Sequence, residues 1–273
     1  MPFTPTHVLA IVPVAAIFRW LPLSALAIGS MMPDAPMFVP LFTYGVTHST
    51  TGVFLVCMPL GMAAFMVFQC LLKRPLMALL PAWTQSRLTA VSRPLLLPSI
   101  PFFLSVAAAL VIGAYSHLVW DAFTHEGRWG VQLVPALQKQ YEIAGWSLPG
   151  FKIFQYGSTI IGLPLLVVCA AAKLIRTRPE IPNDILPFSA MAKLTAFFTA
   201  LLIPILSAAI EWQRSATPSE VLGATIKSTG TALMTAAICY SLVFQWLDPR
   251  GLKGNAVKHL FPCKTGVCRF RRI

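Results

Sequence analysis

Five apolar runs, roughly residues 49–72, 101–124, 153–175, 188–210 and 221–246, dominate this chain, and charge falls almost entirely in the gaps between them. A helix rises 1.5 Å per residue, so about 20 apolar residues cover the ~30 Å hydrocarbon core of a bilayer. Of the 273 residues, 56% are hydrophobic and only 11% charged, whereas a soluble domain carries roughly 25% charged residues. A soluble enzyme is thereby excluded. The runs are continuous, unlike the alternating segments of about 10 residues in a transmembrane barrel, so helices that satisfy their own backbone are the expected solution. The predicted fold is all-α: a polytopic membrane protein with about five full transmembrane helices.

The N-terminus has a different pattern. Residues 8–18 and 23–32 are each too short to cross alone, and Arg19, Trp20, Leu21 and Pro22 interrupt them. This predicts two half-helices of a re-entrant hairpin, with one kinked span as the alternative. The first basic residue, Arg19, follows the first apolar run, so the segment reads as mature protein rather than as a signal peptide. No internal repeat is evident. A single membrane domain is expected, comprising residues 1–48 as hairpin and Pro-Asp loop, 49–246 as the bundle, and 247–273 as a basic tail. The Pro-rich stretch 75–101 has room for a short interfacial helix.

The net charge of +12 does not form a stripe on a soluble module, so no nucleic-acid partner is expected; the excess sets orientation instead. Lys73, Arg74, Arg87 and Arg93 follow the first span, Lys173, Arg176, Arg178 and Lys193 the third, and Arg250, Lys253, Lys258, Lys264, Arg269, Arg271 and Arg272 the fifth. The positive-inside rule puts all three clusters, and the C-terminus, in the cytoplasm of a cell bearing this protein in its inner membrane. The two opposite loops mix Arg128, Lys139, Lys152 and Arg214 with Glu126, Glu142, Glu211 and Glu220 and are near neutral. Cys57, Cys70, Cys169 and Cys239 lie in apolar runs as small hydrophobes, and Cys263 and Cys268 read as free thiols rather than a zinc knuckle. Gly157, Gly162, Gly223 and Gly230 lack a phosphate-binding context and read as helix-packing contacts.

Four of the five histidines and two of the four aspartates precede residue 127. His117, Asp121 and His125 follow one another at intervals of four and share a helix face, each rotated about 40° from the last. His117 and Asp121 are about 6 Å apart along the axis, which suits an imidazole and a carboxylate closing on one cation; both are Zn²⁺ ligands at about 2.0–2.2 Å. His125 is about 12 Å from His117 unless the helix bends or ends near Gly127, so His125 and Glu126 rank behind the pair as acid, base or supporting groups. The topology also returns His48, His7 and Asp34 to the outer end of that helix. Any one of these residues alone is explained by a hydrogen bond or a helix cap. Six ionisable groups at one depth are costlier, since an unpartnered charge in the bilayer costs about 2.5–3.5 kcal/mol on insertion scales.

The segments Pro2-Phe3-Thr4-Pro5-Thr6-His7, Leu23 to Asp34, Thr47-His48-Ser49 and Ser116-His117-Leu118-Val119-Trp120-Asp121 resemble an uncharacterised family of bacterial multi-pass membrane proteins, closely over the first half. Their His, Pro-Asp, His-Ser, His-x-x-x-Asp order is also similar to membrane-bound metal-dependent hydrolases and, more distantly, to zinc-dependent phospholipase C and P1 nuclease. That resemblance implies His7, Asp34, His48, His117 and Asp121 as ligands of a divalent metal, zinc by analogy. Pro36 stands where the hydrolase-like families carry a second acid, and no further His-x-x-x-Glu follows, so the likeness does not extend to a full trinuclear site. The expected function is metal-dependent hydrolysis of a phosphoester, lipid-linked or soluble, at the outer face, with the bound ion lowering the pKa of water. The rival is a non-enzymatic transporter or scaffold in which the same His/Asp network relays protons or glues helices. The bilayer is the expected partner in both; neither fixes an oligomeric state.

Overall fold

The structure, a computed structural model, describes residues 4–92, 99–143, 145–180, 190–215 and 217–247. Arg93, the basic tail from Arg250 onward and the Cys263/Cys268 pair lie outside them. Helix α1 (Thr4–Ile17) opens as a 3-10 helix and continues as α from Ile11. The chain turns over residues 18–22 into α2 (Leu23–Met31), so the break falls at the predicted interruption. Five longer helices follow that have the length and hydropathy to cross a membrane: α3 (Thr50–Leu79), α5 (Ile100–Thr124), α6 (Gly150–Arg176), α7 (Ala190–Arg214) and α8 (Pro218–Leu247). The short α4 (Ala82–Ser92) lies between α3 and α5, within the Pro-rich stretch.

The all-α expectation holds with one small addition. The chain is helical almost throughout, but residues between α5 and α6 form an antiparallel ribbon, β1 (Gln140–Ile143) with β2 (Trp146–Pro149). These strands are four residues long and sit among Pro and Gly, too short for an alternating pattern to stand out. Gly145 takes φ +81° at the turn, a conformation open to glycine.

The core belongs to the first half. Ile11, Leu26, Phe65, Val106, Ala109 and Leu110 are fully buried between α1, α2, α3 and α5. The tightest junction is α2 on α5, where two glycines face backbone. A Cβ on Gly113 would meet the Leu26 carbonyl and lie 2.7 Å from Ser30 N, and one on Gly29 would lie 2.7 Å from Leu110 Cα. Reading Gly157 and Gly223 as packing contacts fails, because nothing lies within 4 Å of a Cβ at either; Gly230 does face the Phe38 ring. The register of an apolar run shows which residues are buried, not which helix pair approaches most closely.

Helix α3 is not uniform. It turns to π-helix at Val53–Cys57 and again at Phe68–Leu72, each stretch a few residues before a proline, Pro59 and Pro75. Proline offers no N–H to the carbonyl four residues back and its ring crowds that turn, so the helix widens. Within the second π-turn the freed carbonyls of Cys70 and Leu71 accept from Gln245 Nε2 of α8 at 3.0 and 3.1 Å, and just beyond it Tyr240 Oη donates to the Pro75 carbonyl at 3.1 Å. Gln245→Leu should therefore lower stability by about 1–2 kcal/mol, seen as a lower melting temperature in detergent with the metal content of the protein unaltered; an unchanged melting curve would remove the clamp from the account.

Candidate metal centre

Backbone turns at the end of the bundle bring the ionisable residues of four chain segments together. Asp34 sits in the 3-10 turn Met32–Met37, which Pro33 and Pro36 favour just beyond α2. Its Oδ2 accepts from Thr4 Oγ1 at 2.7 Å, tying the start of α1 to that turn. Thr47 Oγ1 donates to the Pro33 carbonyl at 2.7 Å, docking the helical turn Tyr44–Thr47 on the same place and leaving His48 at its end. α5 supplies His117 and Asp121 from its inward face, and α1 supplies His7. All five side chains are buried, with His117 and Asp34 wholly so.

The acids lie between the imidazoles. Asp121 Oδ2 is 3.3 Å from His117 Nε2 and 3.5 Å from His48 Nε2, and its Oδ1 is 3.6 Å from His7 Nε2. Asp34 Oδ1 is 3.6 Å from both His48 Nε2 and His117 Nε2. His7 stacks on His117 with ring centroids 3.7 Å apart. Two ring tautomers follow from chemistry, since a carbonyl oxygen can only accept. His117 Nδ1 donates to the Ser30 carbonyl at 2.8 Å, and His48 Nδ1 to the Tyr44 carbonyl at 3.1 Å. With both rings neutral, as metal ligation requires, the two Nε2 atoms point lone pairs at carboxylate oxygens. Burial, and next the adjacent His117 ring, hold His7 below the usual histidine range against the opposing pull of Asp121.

Lone pairs facing anions at 3.3–3.6 Å need a cation between them. Nε2 of His7, His48 and His117 and Oδ1 of Asp34 and Asp121 are all buried without a hydrogen-bond partner. Two overlapping triads, His7/Asp34/His117 and His48/His117/Asp121, each keep one ligand atom per residue within 4.8 Å of the others. A tetrahedron with arms of 2.0–2.1 Å has edges of about 3.3 Å, so the donor types and spacings fit a divalent ion. Nδ1–H bonds to backbone carbonyls are the usual way of orienting a ligating histidine.

A family described as a domain of unknown function (DUF4184) matches residues 1–245. The chain belongs to that family. No curated protein and no solved structure matches it. In this DUF4184 member the match takes in every residue of the buried cluster, while its description assigns them no role.

The lower-ranked residues part company. α5 ends at Thr124, so His125 leaves the helix and its ring folds back, with Nδ1 3.2 Å from the Asp121 carbonyl and 3.5 Å from Asp121 Oδ1. Lys152 Nζ donates to Gln155 Oε1 at 3.3 Å, which leaves the Gln155 amide nitrogen, 3.4 Å from His125 Nε2, to donate to that ring. His125 Nδ1 consequently carries its proton toward Asp121. Burial lowers the His125 pKa, which favours this neutral form. Glu126 is exposed.

Three contributors escaped the sequence. Thr4 lies in the opening motif but carries no charge to mark it. Gln155 is buried on α6, and only the three-dimensional packing brings it to His125. Tyr44 stacks on His48 with centroids 3.6 Å apart, and its hydroxyl lies 3.4 Å from Asp121 Oδ2. Burial, then the carboxylates of Asp121 and Asp34, push its pKa up, so it stays a phenol and a donor. Tyr44→Phe should keep the fold and weaken metal retention modestly, by about 1 kcal/mol or roughly fivefold in affinity; unchanged affinity in a competitive chelator titration would deny Tyr44 any part in holding Asp121.

Proposed function

We propose that this is a single-domain, multi-pass protein of a bacterial inner membrane, with an N-terminal re-entrant hairpin, five spanning helices and a cytoplasmic C-terminus, that acts as a metal-dependent hydrolase at the outer face. The observation carrying the reading is the convergence of unpartnered Nε2 and Oδ1 atoms from His7, His48, His117, Asp34 and Asp121. These five residues would hold the ion, zinc by donor chemistry. A divalent cation there supplies a Lewis acid for a phosphoryl oxygen and makes water a better nucleophile near neutral pH.

The chain's own residues do the rest. The Ser30 and Tyr44 carbonyls fix the rings of His117 and His48, and His125, held by Gln155, orients Asp121. Access is from the side of Tyr44, which is half-buried, and His125, whose side chain is 21% exposed; the remaining cluster is closed. Tyr44 can donate its phenolic proton to a bound anion at that mouth. A phosphoester, lipid-linked or soluble, suits an ion approached through such donors, and the substrate class rests on analogy with the hydrolases the motif order resembles.

The test is hydrolysis by the full chain in liposomes, offered lipid-linked phosphates and soluble phosphodiesters. Cleavage should vanish on chelation and fall by orders of magnitude in His117→Ala and Asp34→Ala, while Glu220→Ala, on the opposite half of the chain, keeps wild-type turnover. A folded, metal-loaded preparation that cleaves none of them, or Ala variants equal to wild type, would turn the reading to a transporter or scaffold with an internal His/Asp network.

A further inference from the structure

The β1–β2 ribbon has an apolar face that the rest of the protein leaves largely uncovered. Its register pairs Tyr141 with Leu148 and Ile143 with Trp146, and Gln140 with Pro149 and Glu142 with Ser147. Paired residues project to the same side and neighbours along a strand to opposite sides. One face is therefore Tyr141, Ile143, Trp146 and Leu148, and the other carries Gln140, Glu142 and Ser147. Most of the apolar face is open: Trp146 is 72% exposed, Ile143 45% and Tyr141 38%, while Leu148 is half-buried and Tyr141 Oη donates to the Ala136 carbonyl at 3.1 Å. An isolated two-stranded ribbon is marginal in water, and this one shows water its apolar side.

Its position says what covers that side. Pro149, the last residue of β2, is the N-cap of α6, and Gly150 N donates to the Lys139 carbonyl at 2.9 Å, so the base of the ribbon is bonded to the first residue of a helix read as spanning. No linker separates the two. Four residues at about 3.4 Å each reach about 14 Å, against about 5–7.5 Å of headgroup and interfacial region in one leaflet, so a ribbon held at that depth lies along the interface and does not stand upright in it. Trp and Tyr beside aliphatic residues, backed by a polar face, match the composition of membrane interfaces. Exposed Trp129 and Leu133, at the two ends of a short helix in the same α5–α6 connection, add further apolar surface there.

We infer that the β1–β2 ribbon lies in the outer-leaflet interface with Tyr141, Ile143, Trp146 and Leu148 against lipid. It is a lateral foot beside the bundle, and it holds the α5–α6 connection, which carries His125, at a fixed depth. The inference rests on the membrane placement of α5 and α6 and is independent of whether the cluster binds metal or hydrolyses anything.

The full chain, reconstituted at low protein density in phosphatidylcholine vesicles with or without acyl chains brominated near the headgroup, provides the test. Subtracting the fluorescence of Trp146→Phe from that of wild type isolates Trp146. Its emission should be blue-shifted and lose most of its intensity to bromolipid, with little loss to aqueous iodide. Ile143→Glu should move Trp146 into the iodide-quenched class. Trp212 and Trp246, exposed on α7 and α8, are internal references. If they are quenched by bromolipid and Trp146 only by iodide, the ribbon stands in water and the inference falls alone. If none of the tryptophans responds to bromolipid, the membrane placement falls with it. Shielding of Trp146 that appears only at high protein density would make a second copy the occupant and overturn the lipid assignment.

Discussion

Purified wild-type protein should carry about one divalent transition-metal ion per chain, and Asp121→Asn should lose most of it. Asp121 is the residue on which the cluster converges, within 3.6 Å of the ring nitrogens of His7, His48, His117 and His125. Structural zinc is held with apparent free energies of about 10–16 kcal/mol. Losing a partner of a ligand alone costs 10–100-fold in affinity, and losing an anionic ligand costs more. The substitution keeps shape and removes charge, so a folded variant is the expected background. Glu142→Gln makes the same change on the exposed polar face of the ribbon and should retain the ion. Equal metal in all three proteins by elemental analysis would mark the ion as adventitious and remove the ligand assignment.

The second large effect is expected from a methyl group. Gly113→Ala places a Cβ against the Leu26 carbonyl and 2.7 Å from Ser30 N. The obstruction is backbone on the facing helix, so no side chain can rotate away, and α2 and α5 must separate. Overpacking of this kind costs about 1–3 kcal/mol, here at the upper end. The separation also draws the Ser30 carbonyl from His117 Nδ1, so the variant should melt lower and bind metal more weakly together. Gly157→Ala is the counterpart: with open space around its Cβ, it should hold or gain about 0.5–1 kcal/mol. A Gly113→Ala protein that melts and binds as wild type would show that the α2–α5 contact does not set the cluster.

What the sequence disclosed, it disclosed through periodicity and scarcity. Apolar run length located all five long helices to within several residues, because charge falls almost entirely in the gaps between the runs, where the helices end. The interruption at residues 19–22 located the break between α1 and α2. Charged residues are costly among apolar neighbours, so His7, Asp34, His48, His117 and Asp121 stood out, and the structure brings all five together. Tyr44, Gln155 and Thr4 did not stand out, because a neutral polar side chain acquires its role only from what packs beside it. The ribbon was hidden by its four-residue strands, and the π-turns of α3 by a proline signal that reads equally as a kink. His125 turned on where α5 ends: beyond Thr124 the chain leaves the helix, and the spacing of four no longer fixes where the ring lies.

Every donor of the cluster lies within the first 121 of 273 residues. A nascent chain that has completed α1, α2, α3 and α5 already possesses the complete set, before α6, α7 or α8 has been synthesised. Helix α8 touches that half at its edges, as where Thr231 Oγ1 donates to the Phe38 carbonyl and Gln245 Nε2 donates to the Cys70 carbonyl within α3. Biogenesis can therefore be sequential. A cation captured early would cross-link four chain segments while the ribosome is still at work, and α7 and α8 would close around a unit whose internal geometry no longer depends on them.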